Sequence, residues 1–262
     1  MSILYIDKSD CVIGKQDNRM IVKYKDEMVR TIPIESIDGI TLLGHAQVTT
    51  QCIQECLKKG ISVSYFSKGG HYFGRLSSTG HIKASLQRKQ AGLYDQPFAL
   101  ELSKKIIYAK IHNQIVVLRR YSRSTNHNIS DIELHMKSAL RKVNYVKSIE
   151  ELMGYEGSAA KYYFKGLSIC IDDAFNFEGR SKRPPRDAFN SMLSLGYSIL
   201  MNELYGEIEI KGLNAYFGFL HRDAEKHPTL ASDMMEEWRA VLIDSTVMSM
   251  INGHEVHIDE FY

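Results

Sequence analysis

The chain has 262 residues, 44% of them hydrophobic and 24% charged, with 33 basic against 31 acidic side chains for a formal charge of +2. That composition excludes disordered, collagen-like and low-complexity classes, and the length is ample for a packed core. No run of about eighteen apolar residues is present, and MSILYIDKSD has neither a basic start nor a long apolar stretch, so a cytoplasmic protein is expected.

In chain order, Ile3–Ile6, Arg19–Tyr24, Met28–Ile34 and Gly39–Leu43 are β-branched or apolar runs punctuated by Asp and Gly, and they read as strands. Pro33 marks an edge strand or a strand end. Residues 49–59 read as a helix with Cys52, Ile53, Cys56 and Leu57 on its apolar stripe and Gly60 as its stop. Strands resume at 61–66 and 72–76. Ser77-Ser78-Thr79-Gly80 breaks the pattern, and 81–97 reads as a linker. Helical periodicity then predicts helices over 98–121, 131–148, 150–175, 187–206 and 229–251. The expected fold is α+β: a β-rich domain over 1–80 and a larger all-α domain over 98–262. The four cysteines (Cys11, Cys52, Cys56, Cys170) form no zinc-type spacing and read as reduced, buried thiols.

The average charge conceals segregation. Residues 103–147 carry ten basic and two acidic groups, RSKRPPR (180–186) is +4, and 203–262 carry twelve acidic and four basic groups. Such blocks are often solvated helix faces. The other reading is a phosphate-binding surface beside an acidic metal site.

Three polar features stand out in the helical half. Glu156 opens an otherwise apolar helix, with small residues beside it that would let another helix pack close. A buried carboxylate there needs a partner or a metal. His221 follows the apolar run Tyr216–Leu220; alone, a histidine so placed is more often a hydrogen-bonded structural residue. Asp233, Glu236 and Glu237 stand three and four apart, on one helix face, among Leu230, Met234, Met235, Trp238 and Val241. Carboxylates plus one imidazole suit a hard divalent ion such as Mg²⁺ or Mn²⁺.

The words GYEGSAAKYYF (154–164), RPPRDAFNSMLSLGYSIL (183–200), GLNAYFGFLH (212–221) and HPTLASDMMEEWR (227–239) resemble the CRISPR-associated integrase family, Cas1, in order and separation. The resemblance covers nearly the whole chain. It implies a DNA endonuclease and integrase that inserts new spacers into a CRISPR array by attack of a 3′-hydroxyl on a backbone phosphodiester. By motif, the metal ligands are Glu156, His221 and Glu236, with Asp233 as an additional catalytic acid. Arg222 and the Arg180, Arg183, Arg186 segment flank the site. Lys83 and Arg88 are further candidates for DNA phosphates, with Arg75, Lys89 and the helices between Lys104 and Lys147. The resemblance also implies a homodimer through the β-rich domain, and a small partner, Cas2, bridging two dimers. Two features depart from the family: members continue past the last helix where this chain reaches Tyr262, and Asn214 stands where Asp is frequent. The competing readings are a metal-dependent nuclease of branched or repair DNA and a non-catalytic DNA-binding scaffold. A metabolite enzyme is disfavoured by the lack of a Gly-rich phosphate loop.

Overall fold

A computed structural model describes residues 2–182, 184–221 and 225–261. The chain divides into two compact units, Met1–Ile82 and Lys83–Tyr262.

The first unit contains strands β1 (Ile3–Ile6), β2 (Cys11–Gln16), β3 (Arg19–Tyr24), β4 (Glu27–Pro33), β5 (Gly39–Leu43) and β6 (Gln47–Val48). Helix α1 (Thr50–Lys59) and strands β7 (Ser62–Phe66) and β8 (Tyr72–Leu76) complete it. One sheet has the order β1-β5-β7-β8, the other β4-β3-β2-β6. β5 pairs in parallel with both β1 and β7. Gly39 to Leu42 are accordingly buried without alternation, as a central parallel strand requires. Ile13 and Met20 from one sheet, Ile40, Leu42 and Val63 from the other, and Cys52 and Cys56 of α1 share one core. Thr49 caps α1 by accepting from the Cys52 N–H. Pro33 ends β4, an edge strand, where its missing N–H leaves no gap in the ladder. Strand β2 was not expected from the sequence; its burial alternates only over Cys11–Gly14, too short a signal beside Gly14. All four cysteines are free and buried.

The second unit is helical: α2 (Ala84–Ala91), α3 (Pro97–Thr125), α4 (Ser130–Val143), α5 (Ile149–Cys170), α6 (Ala188–Ile210), α7 (Thr229–Met235) and α8 (Ser245–Asn252). The stretch read as a linker therefore contains a helix, α2. Gln90, buried at its end, ties it to the rest of the unit: its amide donates to the Asn214 and Phe217 carbonyls at 2.9 Å and accepts the Asn214 N–H. α5 starts at Ser148, which accepts from the Glu151 N–H, and α6 starts at Asp187, which accepts from the Asn190 N–H. The close approach expected beside Glu156 lies instead ten residues on. Nothing stands within 4 Å of a Cβ built on Gly154 or Gly157, whereas one on Gly166 would meet Leu118 of α3 at 2.5 Å. That approach sets α3 against α5.

The helix expected over 229–251 is broken. After α7 come the turn residues 236–238, then a π-helical segment, Arg239–Asp244, that leads into α8. The wider turn carries Asp244 into the core, where Tyr163 and Tyr197 donate to its carboxylate at 2.9 and 2.5 Å. Among the described residues no helix is long and apolar enough to cross a membrane.

Candidate active site

Four segments of the helical unit bring polar groups together at the wall of one cleft, which Lys110 and Glu156 line. Glu156 comes from α5, Glu236 directly follows α7, and His221 lies in the segment after α6. The fourth group, Lys110 of α3, was not singled out from the sequence. Its ammonium pairs with Glu156 Oε1 and lies 2.5 Å from Glu236 Oε2. Glu236 Oε1 is 3.2 Å from the Arg239 guanidinium and 3.9 Å from His221 Nε2. Burial pushes the Glu236 carboxyl up, but Lys110, Arg239 and His221 outweigh burial and hold it below the usual glutamate value.

Asp233 has a different place from its neighbours. It is fully buried, and its oxygens face the loop rather than the cleft. Oδ2 accepts the Phe219 and Leu220 N–H groups at 2.6 and 2.9 Å; Oδ1 accepts the His221 N–H at 2.9 Å. His221 Nδ1 lies 2.7 Å from the same Oδ1. A carboxylate can only accept, so this contact places a proton on Nδ1 and turns Nε2 towards Glu236. Asp233 thus orients the imidazole and folds the loop that carries it. The loop is further held by Gly218, whose N–H donates to Thr229 Oγ1, itself a donor to the Tyr216 carbonyl. Asn214 uses its Oδ1 to accept from the Tyr216 N–H, a task an Asp performs equally.

The cleft extends past Lys110 and Glu156 to a volume of about 620 Å³, lined among others by Lys161, Lys165, Arg180, Lys182 and Arg239. Arg180 is already engaged: it donates to Asn190 Oδ1 at 2.7 Å and Ser194 Oγ at 3.1 Å, and lies over the Tyr197 ring. Arg239 lies over the same ring, its centre 4.9 Å away. Among the described residues, the buried Nε of each arginine and the buried Oε1 of Gln114 have no hydrogen-bond partner. Arg186 is exposed outside the cleft lining, its N–H tied to Ser181 Oγ. Lys83 and Arg88 are exposed at α2. Glu237 contributes its backbone carbonyl to Asn113 at 2.9 Å. Arg183 and Arg222 lie outside the described residues.

The donor set fits a hard divalent ion: two carboxylates already draw in one shared cation, and an oriented imidazole nitrogen stands beside them. Among the described residues no three acidic, imidazole or thiol groups form a ready ligand set, since the Lys110 ammonium stands between the glutamates.

The fold is a β-rich unit followed by a helical unit, and within the helical unit Glu156, Lys110, Glu236 and His221 stand together. Residues 4–262 match the family model described as CRISPR associated protein Cas1. The CRISPR-associated endonuclease Cas1 of Mycobacterium tuberculosis is 44% identical over 249 residues, covering 95% of this chain and 73% of that protein. Among solved structures, a casposase bound to integration product is 25% identical with a TM-score of 0.84, covering all of this chain and 76% of that one. A chain of a Cas6-RT-Cas1–Cas2 complex is 28% identical with a TM-score of 0.82; the match spans 98% of this chain and 28% of the other. The chain belongs to the Cas1 family. It is accordingly an enzyme of the endonuclease and integrase kind.

Proposed function

We propose that this chain is a metal-dependent CRISPR adaptation integrase, with DNA cleavage as the same chemistry run with water. The observation that carries the reading is the convergence of Glu156 and Glu236 on one cation beside the Nε2 of an Asp233-oriented His221. Glu156, Glu236 and His221 would hold Mg²⁺ or Mn²⁺; when bound, the ion lowers the hydroxyl's pKa and stabilises charge on the phosphoryl and leaving oxygens. The remaining work belongs to the protein. Asp233 keeps the imidazole in one tautomer, and Lys161, Lys165, Lys182 and Arg239 line the cleft where phosphates would lie. In the reaction a P–O bond forms to the incoming 3′ oxygen as the target's P–O3′ bond breaks. The departing 3′ oxygen takes up the proton that the nucleophile gave up, so the number of phosphodiesters is conserved.

The substrates are duplex DNA with a free 3′-hydroxyl and the leader–repeat of an array. Phosphate contacts predominate, so binding falls steeply with salt. Arg180 keeps little donor capacity for phosphate, since Asn190 and Ser194 take up most of its guanidinium. Arg186, Lys83 and Arg88, all exposed, would be outer contacts; Arg183 and Arg222, outside the described residues, are candidates by motif alone. The likeness to a Cas1–Cas2 complex chain supports a Cas2 partner. The exposed Met28 and Val29 on edge strand β4 and Phe73 on edge strand β8 suit a homodimer through the first unit. The test is integration of prespacer DNA into a supercoiled leader–repeat plasmid with Cas2 and Mn²⁺. Wild type joins the DNA, and H221A, E156A and E236Q do not; joining by any of the three at the wild-type rate overturns the reading.

A further inference from the structure

Lys110 is a charged residue on a buried face, 6% exposed, at the centre of the proposed site. Four charges meet there: Glu156 and Glu236, and Lys110 and Arg239. These four contacting groups cancel, while Lys161, Lys165, Arg180 and Lys182 add positive charge along the same cleft. A divalent ion added between the same carboxylates would leave two surplus positive charges in a partly buried site, an arrangement that low dielectric makes costly. One cation must give way. Arg239 is held by the face of Tyr197 as well as by Glu236. Lys110 has a four-carbon stem, and it lines the open cleft.

We propose that Lys110 is a resident counter-cation: its ammonium preassembles Glu156 and Glu236 in the metal-free protein and is displaced into the cleft when the divalent ion binds. The proposal rests on the assignment of Glu156 and Glu236 as metal ligands. It gives Lys110 a positioning role that opposes metal affinity while protecting the empty site from carboxylate repulsion. A lysine that merely packs would not oppose metal binding, and the stability lost with it would not be rescued by removing a carboxylate.

The two effects have opposite signs in one variant, which makes them measurable without catalysis. Mn²⁺ binding to the full chain is followed by the loss of the free-ion electron paramagnetic resonance signal, and metal-free stability by thermal melting. K110M is expected to melt below wild type without metal, and to bind Mn²⁺ about tenfold more tightly, a factor worth ~1.4 kcal/mol. In K110M/E156Q the metal-free melting temperature should recover towards wild type, because one of the two repelling charges is gone; loss of stem packing would not be rescued by E156Q. Unchanged or weaker Mn²⁺ binding by K110M overturns the proposal and leaves the metal site standing. Absence of Mn²⁺ binding in both wild type and K110M overturns the metal site with it. Should K110M not fold without metal, K110Q carries the same titration. If neither folds alone, folding on addition of Mn²⁺ supports the proposal and failure to fold with it overturns the proposal.

Discussion

Replacing Asp233 by Asn changes one atom of the side chain and removes its charge, yet the geometry makes it severe. Four donors converge on two oxygens: the N–H groups of Phe219, Leu220 and His221, and His221 Nδ1. An amide offers one accepting oxygen and an NH₂. In one orientation the NH₂ faces the Phe219 and Leu220 N–H groups; in the other it faces both groups of His221. Either way two buried donors lose their acceptor, and the other two exchange a carboxylate for a neutral oxygen. Hydrogen bonds to charged groups are worth about 1.5–3 kcal/mol each, and stranding a buried donor costs a similar amount. The expected loss is therefore about 4 kcal/mol, near the range for breaking a buried charged pair. At ~2–4 °C per kcal/mol for a unit of this size, D233N should melt roughly 10 °C below wild type by calorimetry. It should also lose Mn²⁺ binding, because the imidazole loses its fixed tautomer. Melting within about 2 °C of wild type, well inside the shift expected from that scaling, would refute the claim that this carboxylate organises the loop.

Other perturbations test separate parts of the fold. Gly218 admits no side chain: a Cβ would stand 2.8 Å from the Thr229 backbone carbon and 2.9 Å from Asp233 Oδ2. G218A should cost about 1–3 kcal/mol and weaken Mn²⁺ binding in parallel, seen by melting and metal titration. Glu133 pairs with Arg119 and Lys137, and its carboxyl is held down at about 2, chiefly by the Arg119 hydrogen bond. A depressed folded value stabilises above the ordinary glutamate pKa and is lost as pH falls towards 2. E133Q should therefore melt below wild type at neutral pH, with the difference vanishing at the acid end of a pH series. Asp244 has the opposite sign: burial raises its carboxyl from 3.8 to about 6. The folded state then holds the extra proton, so stability contributed by the acid form is lost as pH rises through that window. Melting curves for D244N should gain on wild type between pH 3.8 and about 6 and keep a constant lead or deficit outside it.

The helical half was legible wherever a long apolar stripe ran between clear stops, as in α3 and α5. The break between α7 and α8 was not. Residues 229–251 keep a helical pattern throughout, and the wide turn at Arg239–Asp244 is stabilised by partners distant in sequence, Tyr163 and Tyr197. Glu156, His221 and Glu236 could be picked out as polar residues in apolar company. The task of Asp233 could not, because its partners are backbone N–H groups, which are identical in every sequence. Arg180 was counted as free charge, though Asn190, Ser194 and the Tyr197 ring occupy most of it.

Lys110 left a signal that charge counting hid. It stands in the basic block 103–147, whose members read alike as phosphate contacts. Its spacing says otherwise. Ile106, Lys110 and Gln114 are four apart, on the face that also buries Ile107, Ile111 and Ile115. A lysine on such a stripe must reach a carboxylate or water, and here it reaches two carboxylates from the acid-rich parts of the chain. The segregation of charge along the sequence is therefore undone at the site: basic α3 supplies the cation that Glu156 of α5 and Glu236 after α7 require. At the site itself two carboxylates, one ammonium and one guanidinium neutralise each other, inside a cleft lining that is otherwise mostly basic. A neutral site resists a divalent ion less than a cationic one and is less frustrated when empty than a purely acidic one. That balance is the physical reason to expect metal affinity and metal-free stability to move in opposite directions when Lys110 is changed.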